Sequence, residues 1–304
     1  METAPVRFDA VVVGGGPAGL SAALALGRSR RRVLLAHDGP TRNAPAHAAY
    51  NVFSRDGTPP ADLLRIGREQ LAPYSVTLRD ERVADVERTA DGFVIVFEGG
   101  ERVEARKILL ATGVRDVLPD VPGFRELWGT GVFHCPYCHG WEVAGGPLAL
   151  YGKGESALQL SQMILGWSRD LVLFTDGPAD LTAEQRAKIT RHGIVVREER
   201  VERLAGSHGR LEAVVLEGGE AVPRAGLFFS PTQELRSDLA SRLGCPLTED
   251  GHVEADEYGR TGVPGVYVAG DTAPGPQQVG AAAASGTTAG AYLNNDLLEE
   301  EFEA

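Results

Sequence analysis

Cys135-Pro-Tyr-Cys138-His139 sets two thiols three positions apart with an imidazole directly after the second. Thiol–disulfide exchange needs two sulfurs close enough to bridge and one thiolate of lowered pKa, and this spacing can supply both. His139, at an unperturbed pKa near ~6.5, is suited to moving protons at neutral pH. The competing reading is half a zinc site completed by Cys245 and a histidine, but no second C-x-x-C exists to support it. Cys245, alone before Pro246, reads as a buried packing residue, and no metal is expected. His134 reads as structural, and Tyr137 and Trp141 as either cleft-lining or packing aromatics.

Two glycine turns flank this redox pair. The first, Gly14-x-Gly16-Pro17-Ala18-Gly19, follows a short apolar strand at residues 8–13 and opens an Ala/Leu-rich helix running to about residue 27. Each glycine has a physical reason: a tight turn, backbone approach to a pyrophosphate, and close helix–strand packing. The phosphate then meets free N–H groups and the positive end of the helix dipole. Asp38, 19 positions after Gly19, is the expected ribose-binding acid, although His37 occupies the strand end where that acid more usually falls. The second turn, Gly152-x-Gly154-x-x-Ala157, follows the strand at residues 148–151. Beyond its next strand, Thr175–Asp180 holds no arginine cluster for a 2′-phosphate, so NAD(P)H binding there is left open.

These turns must sit on a frame that the rest of the chain describes. Strand–glycine turn–helix–strand occurs twice, the turns starting 138 residues apart, each followed by short alternating strands. That pattern predicts an α/β fold of two Rossmann-like, three-layer ββα nucleotide-binding domains, the second inserted into the first. The expected boundaries are 1–116 with 250–304 for the first domain and 117–249 for the second, which carries the C-x-x-C. Residues 265–271 and a helix at 279–293 return to complete the first domain, and residues 299–303 are expected to be a frayed, solvated acidic end.

The 304 residues and net charge of −12 fit an ordinary globular protein and disfavour nucleic-acid or anionic-membrane partners. Three cysteines with one C-x-x-C do not make a secreted disulfide framework. No signal peptide and no run of ~20 apolar residues is read, so a cytoplasmic location is expected.

Together, Gly14–Gly19, Arg42-Asn43, Ala111-Thr112-Gly113, the C-x-x-C before a second turn, and Ala269-Gly270-Asp271 resemble the low-molecular-weight thioredoxin reductase family of FAD flavoproteins. The resemblance spans essentially the whole chain and implies FAD in the first domain and a homodimer. It also implies that Asp271 meets the ribityl chain, that Gln278 and Val279 present N–H groups to the flavin pyrimidine, and that Asn51 lies near the isoalloxazine. Cys138 becomes the flavin-proximal sulfur and Cys135 the one exchanging with substrate. Two departures, His139 in place of the usual acid and the missing arginine motif after Phe174, look more like the gliotoxin- and holomycin-type dithiol oxidases of antibiotic biosynthesis. The expected activity is then disulfide closure in a small-molecule dithiol, with electrons passing through FAD to O2. The alternatives are an NAD(P)H-dependent reductase of a thioredoxin-like protein and, from another class, a non-catalytic redox sensor or zinc-stabilised binding module.

Overall fold

A computed structural model describes residues 7–304, which divide into two compact units. The leader reading falls partly on residues 1–6, outside the described residues. Among the described residues the first unit comprises 7–42, 51–115 and 233–304, and the second 43–50 and 116–232. Both differ from the expected boundaries. Residues 233–249 were expected in the second domain, yet Leu239, Ala240 and Cys245 pack in one core with Phe8, Phe93 and Phe97 of the first unit. The short helix Leu239–Arg242 carries too few residues for its apolar face to be read as a period. The segment 43–50 groups with the second unit, where Pro45 and Ala46 lie against the left-handed turn at Gly129.

In the first unit, the strand Arg7–Val13 lies between Val33–His37 and Arg102–Leu110, all parallel. Its residues Ala10, Val11 and Val12 are fully buried, as a central parallel strand covered on both faces requires. Val76–Asp80 extends the sheet beyond Val33–His37. The early part of Arg102–Leu110 pairs antiparallel with Gly92–Phe97, while its last three residues take Val266–Val268 in parallel. Register places Val13 opposite both Ala36 and Leu110 and places Leu110 opposite Val268, so four strands finish together. The residues that follow them are Gly14, Asp38, Ala111–Gly113 and Ala269–Asp271. The sheet thereby gathers most of the motifs on one edge, the carboxyl edge at which such sheets bind ligands.

Two helices cover one face. Pro17–Arg28 starts with proline at its first position, where the missing N–H costs nothing. Val279–Glu303 lies against it so closely that a Cβ at Gly286 would stand 2.0 Å from the Ala18 carbonyl oxygen. Glycine is required there by approach rather than by backbone angle. This helix also overturns the expectation of a frayed end. It runs through Glu303; Glu300 pairs with Arg106 and Lys107, and Glu301 with Arg31 and Arg106. A glutamate run read as solvated in sequence is a row of counter-ions for cations brought up by the sheet.

The second unit repeats the plan with Leu148–Tyr151 at its centre. Leu171–Phe174 and Gly226–Phe229 flank it in parallel, with Val195–Arg197 and Val132–Phe133 outside them. An antiparallel trio, Val201–Ser207, Arg210–Leu216 and Ala221–Pro223, forms its second layer. No helix among the described residues is long and apolar enough to cross a membrane.

Candidate active site

The first glycine turn has the shape its sequence requires. Gly14 has φ +118°, and a Cβ there would lie 2.2 Å from the Ala111 carbonyl oxygen. A Cβ at Gly19 would lie 1.8 Å from the Gly14 carbonyl oxygen. Gly16 differs from both: its backbone is extended, and a Cβ would meet only Thr41 Cγ2 at 3.7 Å. The protein leaves space over Gly16 that its own fold does not use, at the N-cap of a helix that no side chain caps. Such a cradle fits a pyrophosphate. Pro17 and Ala18 form the first turn of that helix, with Ala18 buried.

The other carboxyl-edge residues surround this turn. Gly113 donates its N–H to Thr272 Oγ1 at 2.8 Å, tying the Ala111-Thr112-Gly113 segment to the one that carries Asp271. Gly270, at φ +68°, donates its N–H to Ser285 Oγ. Arg42 Nη1 donates to Asp271 Oδ2 at 3.0 Å and to Gln277 Oε1 at 2.7 Å. Gln278 is the N-cap of the helix that begins at Val279, with no side-chain cap and no acid in the first turn, and a Cβ at Gly280 would meet nothing within 4 Å. A second helix N-terminus thus stands open at the same edge. Asn51 holds a left-handed backbone, φ 59°, pinned by its N–H to Asp56 Oδ1 at 2.6 Å. Asn43 falls in the short segment of the second unit and closes a turn to Ala46.

Cys135 and Cys138 are joined in a disulfide, with Cα atoms 5.3 Å apart. The local sequence forms it directly. Cys135 is the N-cap of the one-turn helix Pro136–His139, and the N–H groups of Cys138 and His139 both donate to its carbonyl. Cys245 is buried in the core of the first unit, where burial raises its thiol pKa. Among the described residues no group of three or more His, Cys, Asp or Glu could hold a metal ion.

His139 is where sequence and structure part. Its ring stacks on Phe133, centroids 4.8 Å apart, and meets the edge of Tyr50 at 6.1 Å. Its Nε2 is buried without a partner. Burial lowers its pKa to about 4, against the expected ~6.5. The imidazole is therefore neutral at pH 7, able to accept a proton but carrying none to donate as an acid. His134 packs on Trp128, as a structural residue would. Tyr137 and Trp141 stand outward, 60% and 83% exposed, and Trp167 meets the edge of Tyr137 at 5.3 Å.

At the second glycine turn, Asp176 lies 19 positions after Ala157, but its carboxylate is taken up internally. It accepts from the Val201 N–H at 2.9 Å and the Tyr151 hydroxyl at 3.2 Å. Thr175–Asp180 itself holds no arginine, but two cations come to it from elsewhere in the chain. Lys153, inside the turn, and Arg200, from the approach to a later strand, both reach Gly177, their nitrogens 3.5 Å and 3.8 Å from where its Cβ would be. Neither belongs to a local arginine motif after Phe174.

The comparisons agree with this arrangement. Residues 8–286 match the pyridine nucleotide-disulphide oxidoreductase family. The chain belongs to that family. It is an oxidoreductase of the thioredoxin-reductase type, and its cofactor is FAD. It is 34% identical to thioredoxin reductase sirT of Leptosphaeria maculans, over all of this chain and 98% of that one. It is 31% identical to thioredoxin reductase tcpT of Claviceps purpurea, over 96% and 95%. The crystal structure of HlmI superposes with a TM-score of 0.93 at 38% identity, covering 98% of this chain and 94% of the other.

Proposed function

We propose that this chain is an FAD-dependent dithiol oxidase that closes a disulfide in a small-molecule dithiol and passes the two electrons to O2, yielding peroxide. The observation that carries this reading is the pairing of the Cys135–Cys138 disulfide with a buried, neutral His139 where thioredoxin reductases carry an acid. FAD, when bound, would supply a two-electron acceptor for the dithiol form of the protein and a donor to O2. Gly14, Gly16, Gly19, Arg42 and the N-terminus at Val279 would hold it.

One substrate thiolate attacks Cys135 Sγ, breaking the Cys135–Cys138 bond and releasing Cys138 as thiolate. The second substrate thiol, losing its proton to His139, displaces Cys135 and closes the product disulfide. The protein is left with two reduced sulfurs and has gained both electrons. Exposed Tyr137 and Trp141 offer ring faces to an apolar dithiol.

A second reading, an NAD(P)H-dependent reductase of a thioredoxin-like protein, is favoured by Lys153 and Arg200 at Gly177. Adding a small dithiol under air separates the two. The oxidase consumes O2 and accumulates peroxide; the reductase is bleached by micromolar NADPH and takes up little O2 with the dithiol.

A further inference from the structure

The carboxylate expected at the end of the strand Val33–His37 is replaced by His37, and the next residue does not substitute for it. The Cβ of His37 lies 2.7 Å from where a Cβ of Gly15 would be, so this side chain faces the first glycine turn. Strand geometry sends successive side chains to opposite sides, which directs Asp38 away from that turn. Asp38 in fact stands near Arg82, 3.8 Å from its Nε, with both side chains more than half exposed.

A carboxylate does reach His37, from the neighbouring strand. His37 and Asp80 are register partners in the parallel pair Val33–His37 and Val76–Asp80, so their side chains share a face. The Asp80 carboxylate rests against His37 Nε2, off the line of a hydrogen bond, and is 75% exposed while the imidazole is 11% exposed. Arg68 Nη2 lies 3.3 Å from His37 Nδ1. Arginine only donates, so Nδ1 must accept and the proton sits on Nε2, the nitrogen that Asp80 stands against. Arg68 Nε is itself buried without a partner, an open donor in the same recess.

We infer that Asp80, positioned by His37 and Arg68, is the carboxylate that binds the adenosine ribose of FAD, in place of Asp38. A vicinal diol offers two hydroxyl donors, and an exposed carboxylate can accept both. The residue that binds comes from the third strand of the unit and the residue that aims it from the second. Its test is FAD affinity, read by flavin fluorescence on dilution of the full chain. Asp80→Asn should raise the Kd for FAD about tenfold, the scale of a lost hydrogen bond to a charged group. FMN, which lacks the adenosine, should bind wild type and Asp80→Asn alike. Asp38→Asn should leave FAD affinity within about twofold, as a surface charge change does. His37→Ala should loosen FAD in the wild-type background and add little on top of Asp80→Asn, because it acts through that residue. Loosening by Asp38→Asn, or unchanged affinity in Asp80→Asn, would overturn the assignment.

Discussion

His139 lies flat on Phe133, the ring planes 15° apart and the centroids 4.8 Å apart. A histidine held this way is stabilised as the neutral ring. Above pH ~6.5 both folded and unfolded chains carry it neutral, and its contribution to stability does not vary. As pH falls from ~6.5 to about 4, the unfolded chain takes a proton that the fold resists, so stability is lost through that window and levels off below it. His139→Phe keeps the stack and removes the titration. Its unfolding midpoint should gain on wild type as pH is lowered from 7 to 4, by roughly 1–3 kcal/mol once partial exposure is allowed for. A constant difference across that range would mean that His139 does not titrate as its burial implies.

The same neutrality governs turnover. If His139 accepts the substrate proton, His139→Ala should lower kcat by roughly 10²–10⁴ with a modest change in KM. The acid limb of the wild-type pH profile should fall near pH 4 rather than near 6.5, since a neutral base works until it is protonated. A limb at 6.5 would show that the group in control is not this one.

Gly16 and Gly19 should separate when substituted. Gly16→Val has room within the protein and an ordinary backbone, so the chain should fold with near-normal helix content yet lose FAD. Gly19→Val drives a methyl into the Gly14 carbonyl and should cost stability outright, by about 3 kcal/mol or more. Retention of stoichiometric FAD in Gly16→Val would move the cofactor away from this turn.

Cys135→Ser and Cys138→Ser should each abolish dithiol-driven peroxide formation while FAD stays bound. They should differ in one product. Cys138→Ser keeps the exchanging sulfur as a thiol and, given the disulfide form of the small molecule, should open it into a mixed disulfide visible by mass; Cys135→Ser should form none. The reverse pattern would exchange the roles of the two sulfurs.

Much of this architecture could be read from residue order because its signals are local. Gly19 is a glycine for its contact with the Gly14 carbonyl, five residues before it, and Gly14 has the positive φ of a tight turn. Proline at the start of Pro60–Glu69 and of Pro17–Arg28 acts within a single turn. What escaped is what depends on neighbours distant in the chain. The burial of His139 is set by Phe133 and by Tyr50, 89 positions upstream. Asp80 meets His37 only because strand register brings the two side by side. Arg200 reaches Gly177 from 23 positions downstream, and Glu301 finds Arg31 across most of the sequence. A charge read in sequence shows its type but not its partner, and for Asp80, Arg200 and Glu301 the partner decides the role.

The close approach of Gly286 to Ala18 bears on how the protein is made. The first helix is made well before the surface it is cut to receive, which belongs to Val279–Glu303. Loop-closure entropy must be overcome across nearly the whole sequence before that contact forms. A nascent chain can therefore carry the complete glycine turn without the helix N-terminus at Val279 that stands opposite it. Cofactor capture waits until Val279–Glu303 has been made, and flavin supplied before then has only half a cradle to meet.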